Sequence, residues 1–145
     1  MPSQPAPPNF VYYFPMRWPT FDQNGVTITS QMNLYSDPQT TVVGGCGGQI
    51  SIPSCLSNNP SGGWISITTN CSVNNSDEPN DVVSFGFTSQ APLFPKLGAK
   101  FIGWSGIGTV TTNNGNVFPA LFKMKTLSLS TWALIEAVVE PYSLD

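Results

Sequence analysis

Histidine is absent from this chain, and charged residues are scarce, with five Lys or Arg and eight Asp or Glu in 145 residues. They make up 9% of the sequence, compared with about 25% in typical soluble domains. Most enzyme sites are built from His, Asp, Glu, Lys and Cys side chains whose pKa values are tuned by their surroundings. A catalytic serine would have no histidine as its base. The sequence therefore predicts that the protein is not an enzyme and uses no cofactor.

Positive charge is too thinly spread to predict a nucleic-acid partner. The net charge is −3, and the basic residues are Arg17, Lys96, Lys100, Lys123 and Lys125. Binding to a nucleic-acid backbone needs several phosphate contacts from a basic tail or stripe, which this sequence lacks. Its apolar runs also fall short of the roughly 20 residues that cross a bilayer as a helix. We therefore expect no direct nucleic-acid binding and no membrane span.

The first nine residues are rich in proline and have neither the basic nor the apolar region of a signal peptide. We therefore expect synthesis in a cytoplasm without export, so that the Asn-X-Ser sequons at Asn70 and Asn74 are accidental. A Pro-rich segment of this kind predicts an extended arm over residues 1–9, which docks on its own domain or on a neighbouring subunit. A single domain is expected over residues 10–145.

Three cysteines, Cys46, Cys55 and Cys71, lie in the first half of the chain. Because cytosolic proteins keep their thiols reduced, we expect buried free thiols. One disulfide is the alternative, with Cys46 and Cys55 as the candidate pair because they are close in sequence. A zinc site is not expected, since three cysteines without histidine do not complete the usual four ligands.

Short segments with alternating apolar and polar residues recur along the rest of the chain. Residues 26–35 show this alternation over a whole segment, as expected of a half-buried antiparallel strand. Further strands are predicted at residues 10–14, 40–43, 49–52, 64–69, 82–88, 100–104, 107–112, 117–122, 125–129 and 132–140. For residues 132–140 a short helix is the alternative, and Val138 and Val139 favour the strand. Prolines and glycines separate them, and long amphipathic helical patterns are missing. The pattern predicts an all-β domain, an antiparallel jelly-roll-like β-sandwich of about eight strands, with an immunoglobulin-like sandwich as the alternative.

Two groups of residues are candidate ligand sites. Asp77, Glu78 and Asp81 lie in one polar loop and are candidate Ca²⁺ ligands, with neighbouring Asn side chains able to add oxygens. The alternative for this loop is an ordinary solvated surface. Trp64 and Trp104 lie near Gly- and Asn-rich loops and are candidate glycan-binding residues, because exposed indole rings stack on sugars. Packing in the core or at a subunit interface is the alternative for both.

Low charge and a Pro-rich arm also indicate a surface that is covered by other protein subunits. Arg and Trp dominate the energetics of protein interfaces, which favours the Arg-Trp pair after the first predicted strand as an anchor. The predicted interface residues are Pro5, Pro7, Pro8, Phe10, Arg17 and Trp18.

Together these features predict a structural subunit of a large assembly. The expected class is a viral capsid, spike-base or decoration protein that acts in the virion as a homo- or hetero-oligomer through subunit packing. The alternative is a carbohydrate-binding, lectin-like β-sandwich module. An exposed Trp in a concave site would favour the second function, and a defined oligomer the first.

Overall fold

The computed structural model describes residues 5–17, 26–38, 40–52, 64–74, 77–92, 103–127 and 132–144. Eight β-strands follow one another along the chain. They are β1 (Phe10–Arg17), β2 (Val26–Tyr35), β3 (Val42–Ile52), β4 (Trp64–Val73), β5 (Val82–Pro92), β6 (Gly103–Thr112), β7 (Val117–Thr126) and β8 (Trp132–Pro141). Within the described ranges there is no helix long and apolar enough to cross a lipid bilayer.

Each strand pairs antiparallel with the next, and β8 returns to β1, so the sheet closes into an eight-stranded barrel. The closing ladder is long, running from Phe10 opposite Val139 to Arg17 opposite Trp132. The predicted jelly-roll-like or immunoglobulin-like sandwich is therefore wrong, although the all-β class is confirmed. A sandwich leaves two separate sheets, whereas here consecutive strands form one continuous sheet. Alternating side chains suit both architectures, and the β1–β8 pairing decides between them.

The barrel has one thin seam, between β1 and β2. Within the described ranges these two strands pair at a single position, Tyr13 opposite Tyr35. The neighbouring β2–β3 ladder continues from Val26 opposite Ile52 to the other end of β2, with one irregularity near Leu34. The wall of the barrel is thus held by many backbone hydrogen bonds on either side of the seam and by few across it.

Two strands run without interruption through glycines that the sequence pattern treats as breaks. β3 pairs along its length with β2 and β4, and β6 with β5 and β7. A Cβ atom on Gly44 would collide with the carbonyl oxygen of Ser72, and one on Gly108 with that of Gly86. Because only glycine allows backbones to approach so closely, these positions let the sheet bend tightly enough to close.

Alternate side chains fill the barrel interior. On β7 the buried residues Phe118, Phe122 and Met124 alternate with exposed ones such as Leu121 and Lys123. Six aromatic rings form a connected column through this interior, with centroids of neighbouring rings 4.9–6.3 Å apart. The rings of the column are Phe10, Tyr12, Phe85, Phe122, Phe87 and Phe14. Each such ring pair adds about 0.5–1.5 kcal/mol beyond its buried area.

Cys46 on β3 and Cys71 on β4 face each other inside the barrel and form a disulfide bond, with Cα atoms 4.0 Å apart. The expectation of free thiols is wrong for these two residues, and so is the pairing of Cys46 with Cys55, which itself lies outside the described residues. Strand register explains the outcome, since residues directly opposite on neighbouring strands bring their Cβ atoms together whatever their separation in sequence. Disulfides persist in oxidising surroundings, which include cell and virion surfaces.

The connection between β2 and β3 is held by Asp37. Its carboxylate accepts hydrogen bonds from the backbone N–H groups of Thr40 and Thr41, 3.0 and 2.9 Å away, and from the Thr41 hydroxyl. A side-chain hydrogen bond from Thr40, together with these bonds, lowers the pKa of Asp37 to about 2. The ionised carboxylate thus fixes the turn between the two strands.

Candidate functional site

Antiparallel order brings both chain tails and three connections to the same end of the barrel. The start of β1, the end of β8 and the β2–β3, β4–β5 and β6–β7 connections all lie there, because neighbouring strands run in opposite directions. This end is termed the arm end. Its described residues are 5–9, 36–38, 40–41, 74, 77–81, 113–116 and 142–144.

An open cavity of about 350 Å³ lies at the arm end, and its apolar side is built by β1 and the arm. Phe10 and Tyr12 occupy alternate positions of β1, and both rings contact Phe85 of the aromatic column. Tyr12 stacks almost parallel on Phe85, with an interplanar angle of 6°. Pro7 is buried, and it lines the cavity together with Pro8. Residues 5–9 of the arm therefore dock on their own barrel.

The polar side of the cavity comes from the β4–β5 connection. Asn74, Asn80 and Asp81 line it, opposite the Tyr12 ring. Asp81 holds its own loop, because its Oδ2 accepts a hydrogen bond from the Glu78 backbone N–H at 3.1 Å. Burial, and then the negative charge of Asp81, raise the pKa of Tyr12. At neutral pH the Tyr12 hydroxyl is thus protonated and available as a hydrogen-bond donor.

The charged residues of the described arm end are all acidic, and Asp81 among them lines the cavity. The acids of the described arm-end connections are Asp37, Asp77, Glu78 and Asp81. Among the described arm-end residues there is no Lys or Arg. The basic residues of the described strands are elsewhere. Arg17 ends β1 at the opposite end, and Lys123 and Lys125 lie on β7, where Lys123 forms an ion pair with Glu140 at 2.9 Å. The cavity therefore favours neutral or cationic ligands over anions.

The predicted interface residues are divided among different surroundings. Pro7, Pro8 and Phe10 line the cavity, whereas Pro5 is exposed. The backbone of Arg17 pairs with Trp132, and Trp18 lies outside the described residues. Contacts of these residues with another subunit stay a prediction.

The two groups of predicted ligand residues lie at opposite ends of the barrel, the acids at the arm end and the two tryptophans near the starts of β4 and β6. Trp104 is half-buried and packs against the hydrophobic core, and Trp64 begins β4, so their binding of a glycan stays a prediction. Within the described ranges, no group of three or more His, Cys, Asp or Glu side chains is placed to hold a metal ion. Of the three acids proposed as Ca²⁺ ligands, Asp81 instead accepts the turn hydrogen bond from Glu78.

Sequence reasoning missed Tyr12 as a site residue. The spacing of Phe10, Tyr12 and Phe14 was an available signal, because residues two apart on a strand share one face. What the sequence does not reveal is that this face meets the β4–β5 connection, since that neighbourhood depends on barrel closure.

A second surface feature is an apolar strip on the outer wall of β6 and β7. Ile107 lies opposite Leu121, and their side chains are 68% and 42% exposed. Val117, further along β7, is 61% exposed. The sequences of β2 to β6 contain no charged residue, so the wall on the β5 side of this strip is neutral. On the β8 side, Leu121 lies opposite Glu140, which pairs with Lys123. Strip and wall together offer a surface with little charge to desolvate.

No family model matches the chain, and a comparison with curated proteins finds no relative. The cavity and the outer wall are therefore the grounds for assigning a function.

Proposed function

We propose that this protein is a binding module that holds a carbohydrate at the arm end of its barrel. The carrying observation is that the rings of Phe10 and Tyr12 and the amides of Asn74 and Asn80 line one cavity. Sugars present C–H faces that stack on aromatic rings, and hydroxyl groups that hydrogen-bond to amides and carboxylates. The cavity, about 350 Å³, is near the lower end of the usual range of about 300–1,000 Å³ and suits a short saccharide.

Because side chains fill the barrel interior, a ligand is expected at the arm end rather than inside the barrel. Eight-stranded barrels are just wide enough to be filled by side chains or to hold one small ligand. Here the aromatic column occupies the described interior, and Phe122 and Val110 are fully buried within it. At the mouth above Phe85, the Phe10 and Tyr12 side chains line the open cavity.

Isothermal titration calorimetry with a panel of neutral and charged mono- and disaccharides tests the proposal. Tyr12→Phe removes one hydroxyl from the cavity and should weaken sugar binding about 3- to 10-fold, the effect of one net hydrogen bond. Tyr13→Phe is the matched control, because Tyr13 is the next residue and hydrogen-bonds to Glu136 on β8 instead. The proposal fails if wild-type protein binds none of the sugars, or if the two variants bind equally.

A second proposed function is that of a structural subunit in a larger assembly, as in viral coats, spike bases or decoration layers of a virion. Support comes from the apolar strip at Ile107 and Leu121 and from the uncharged wall of β2 to β6, which a second copy of this chain would cover at little desolvation cost. The jelly-roll architecture that also suggested viral coats is overturned by the barrel, so the support is now the surface alone.

Light scattering over a concentration series tests this second function. Wild-type protein should form a defined oligomer, and Ile107→Lys should return it to a monomer by placing a charge in the strip. Val11→Lys, at an exposed apolar position on β1 outside both the strip and the uncharged wall, is the matched control and should leave the mass unchanged. A wild-type monomer at the highest concentration, or equal masses for both variants, would contradict the subunit function.

A further inference from the structure

We propose that the saccharide bound at the arm end carries a protonated amino group, so that the cavity selects amino sugars over their neutral counterparts. This inference rests on the proposed carbohydrate function and names its ligand class. It is carried by the exposed Asp81 carboxylate, which lines the same open cavity as the Phe10 and Tyr12 rings, and by the sign of the charges at the arm end.

The carboxylate of Asp81 is a receptor for an ammonium group. It lines the cavity, and its Oδ2 already accepts the Glu78 N–H at 3.1 Å. Among the described residues, none donates a hydrogen bond to Oδ1. An ionised carboxylate has about four acceptor positions, so a ligand N⁺–H group can bind without breaking the turn. Charge-assisted hydrogen bonds of this type are stronger than those between neutral groups.

Aromatic faces lie beside this carboxylate. Asp81 and Tyr12 line the same cavity, and Phe10, which also lines it, packs edge-on against the Tyr12 ring at a centroid distance of 5.2 Å. A cation within about 6 Å of a ring centroid is attracted by the negative face of the ring. One ammonium group can therefore contact a carboxylate and a ring, while the sugar ring stacks on its neighbour.

The surrounding field acts in the same direction. Asp37, Asp77 and Glu78 add negative charge at the arm end, and no Lys or Arg occurs among its described residues. Charges of one sign at the end of a molecule raise the local concentration of oppositely charged ligands, and salt weakens this effect. A neutral sugar gains nothing from this field, and a sulfated or carboxylated sugar is repelled by it.

The test compares two disaccharides that differ only at nitrogen: the β-1,4-linked glucosamine dimer and its N-acetylated form. Calorimetry at about pH 6, where the sugar amine is protonated, should give about tenfold tighter binding of the amine form by wild-type protein. Asp81→Asn keeps an oxygen for the Glu78 N–H and should abolish this preference while still binding the acetylated dimer. Asp77→Asn, an acid of the same loop outside the cavity lining, is the control and should keep the preference.

The outcomes separate the two proposals. Equal binding of both dimers by wild-type protein, or a preference that survives Asp81→Asn, overturns the amino-sugar inference while the carbohydrate function stands. If neither dimer nor any neutral sugar binds, both proposals fall. A simple alkylammonium ion serves as a third probe: if it binds while every sugar fails, the ligand is an organic cation and the carbohydrate function is wrong. Loss of the preference at high salt supports the inference, because screening weakens the field.

Discussion

Removing the Cys46–Cys71 disulfide should lower the free energy of unfolding by several kcal/mol. The bond joins residues 25 apart in sequence. In the chain-entropy treatment, cross-linking a loop of this length stabilises the folded state by about 3.5 kcal/mol at 25 °C. With a shift of about 2–4 °C per kcal/mol for a domain near this size, the melting temperature of a Cys46→Ala/Cys71→Ala variant should fall by about 7–14 °C. The barrel should still form, because the β3–β4 ladder continues on both sides of the bond.

Urea denaturation followed by tryptophan fluorescence measures this difference under non-reducing conditions. The double variant and wild-type protein refolded in reductant should show the same lowered midpoint, with similar m-values. Cys55→Ala is the control, since it keeps the bridge, and peptide mapping should recover Cys46 linked to Cys71 in both it and wild-type protein. A midpoint shift worth less than about 1 kcal/mol would refute the entropic reasoning. Recovery of a Cys46–Cys55 link would refute the strand register itself.

Three further predictions concern the turn, the barrel bend and the arm. Gly108→Ala should destabilise the barrel by about 3 kcal/mol or more in urea denaturation, because its new Cβ would collide with backbone atoms of β5. Gly47→Ala is the control and should change stability by less than about 1 kcal/mol, because no described atom lies within 4 Å of its new Cβ. Equal effects of the two substitutions would contradict the close approach at Gly108. The pKa of Asp37 falls from 3.8 to about 2 on folding, so its stabilisation is present above about pH 4 and is lost as the pH falls through 2. Asp37→Asn should therefore lower the melting temperature at neutral pH but not near pH 1.5. The same difference from wild-type protein at both pH values would refute this reasoning. Asp77→Asn, which replaces an exposed acid of the β4–β5 connection, is the control. Deleting residues 1–9 should abolish sugar binding while the circular dichroism of the barrel is kept, and unchanged affinity would remove the arm from the site.

The strands were largely predictable because each is a local pattern. Alternation over residues 26–35 gave the bounds of β2, and the interpretation of residues 132–140 as a strand is confirmed by β8. The errors within strands came from glycine and proline rules. Residues 40–43 and 49–52 were expected as separate strands, but β3 is continuous, and Gly44 relieves crowding against Ser72 of β4 instead of ending a strand. Local propensity describes the preference of the isolated chain, in which glycine disfavours a strand. In the barrel, a close contact between strands can require glycine at the same position.

Architecture and site were less predictable because both depend on distant pairings. Sandwich and barrel share one binary pattern, and only the contact of β1 with β8 separates them. The same closure brings Tyr12 beside Asp81, so that neither residue alone identified the cavity. The sequence did point to Phe10, but as a predicted subunit-interface residue and not as part of a ligand cavity. The disulfide followed the same rule, since strand register and not proximity in sequence selected Cys71.

The single pairing between β1 and β2 has a consequence for how the barrel moves. Local opening begins where few hydrogen bonds must break together, so the amides along the β1-facing side of β2 should exchange with solvent sooner than those of the β3–β4 ladder. While β1 stays bound to β8, the opened molecule is a curved sheet with two free edges. Such edges accept a strand from another chain, so the seam is the place where two copies would exchange strands. Opening there would also give water and small molecules a route to Phe14 and Phe87 through the side of the barrel, separate from the cavity at the arm end.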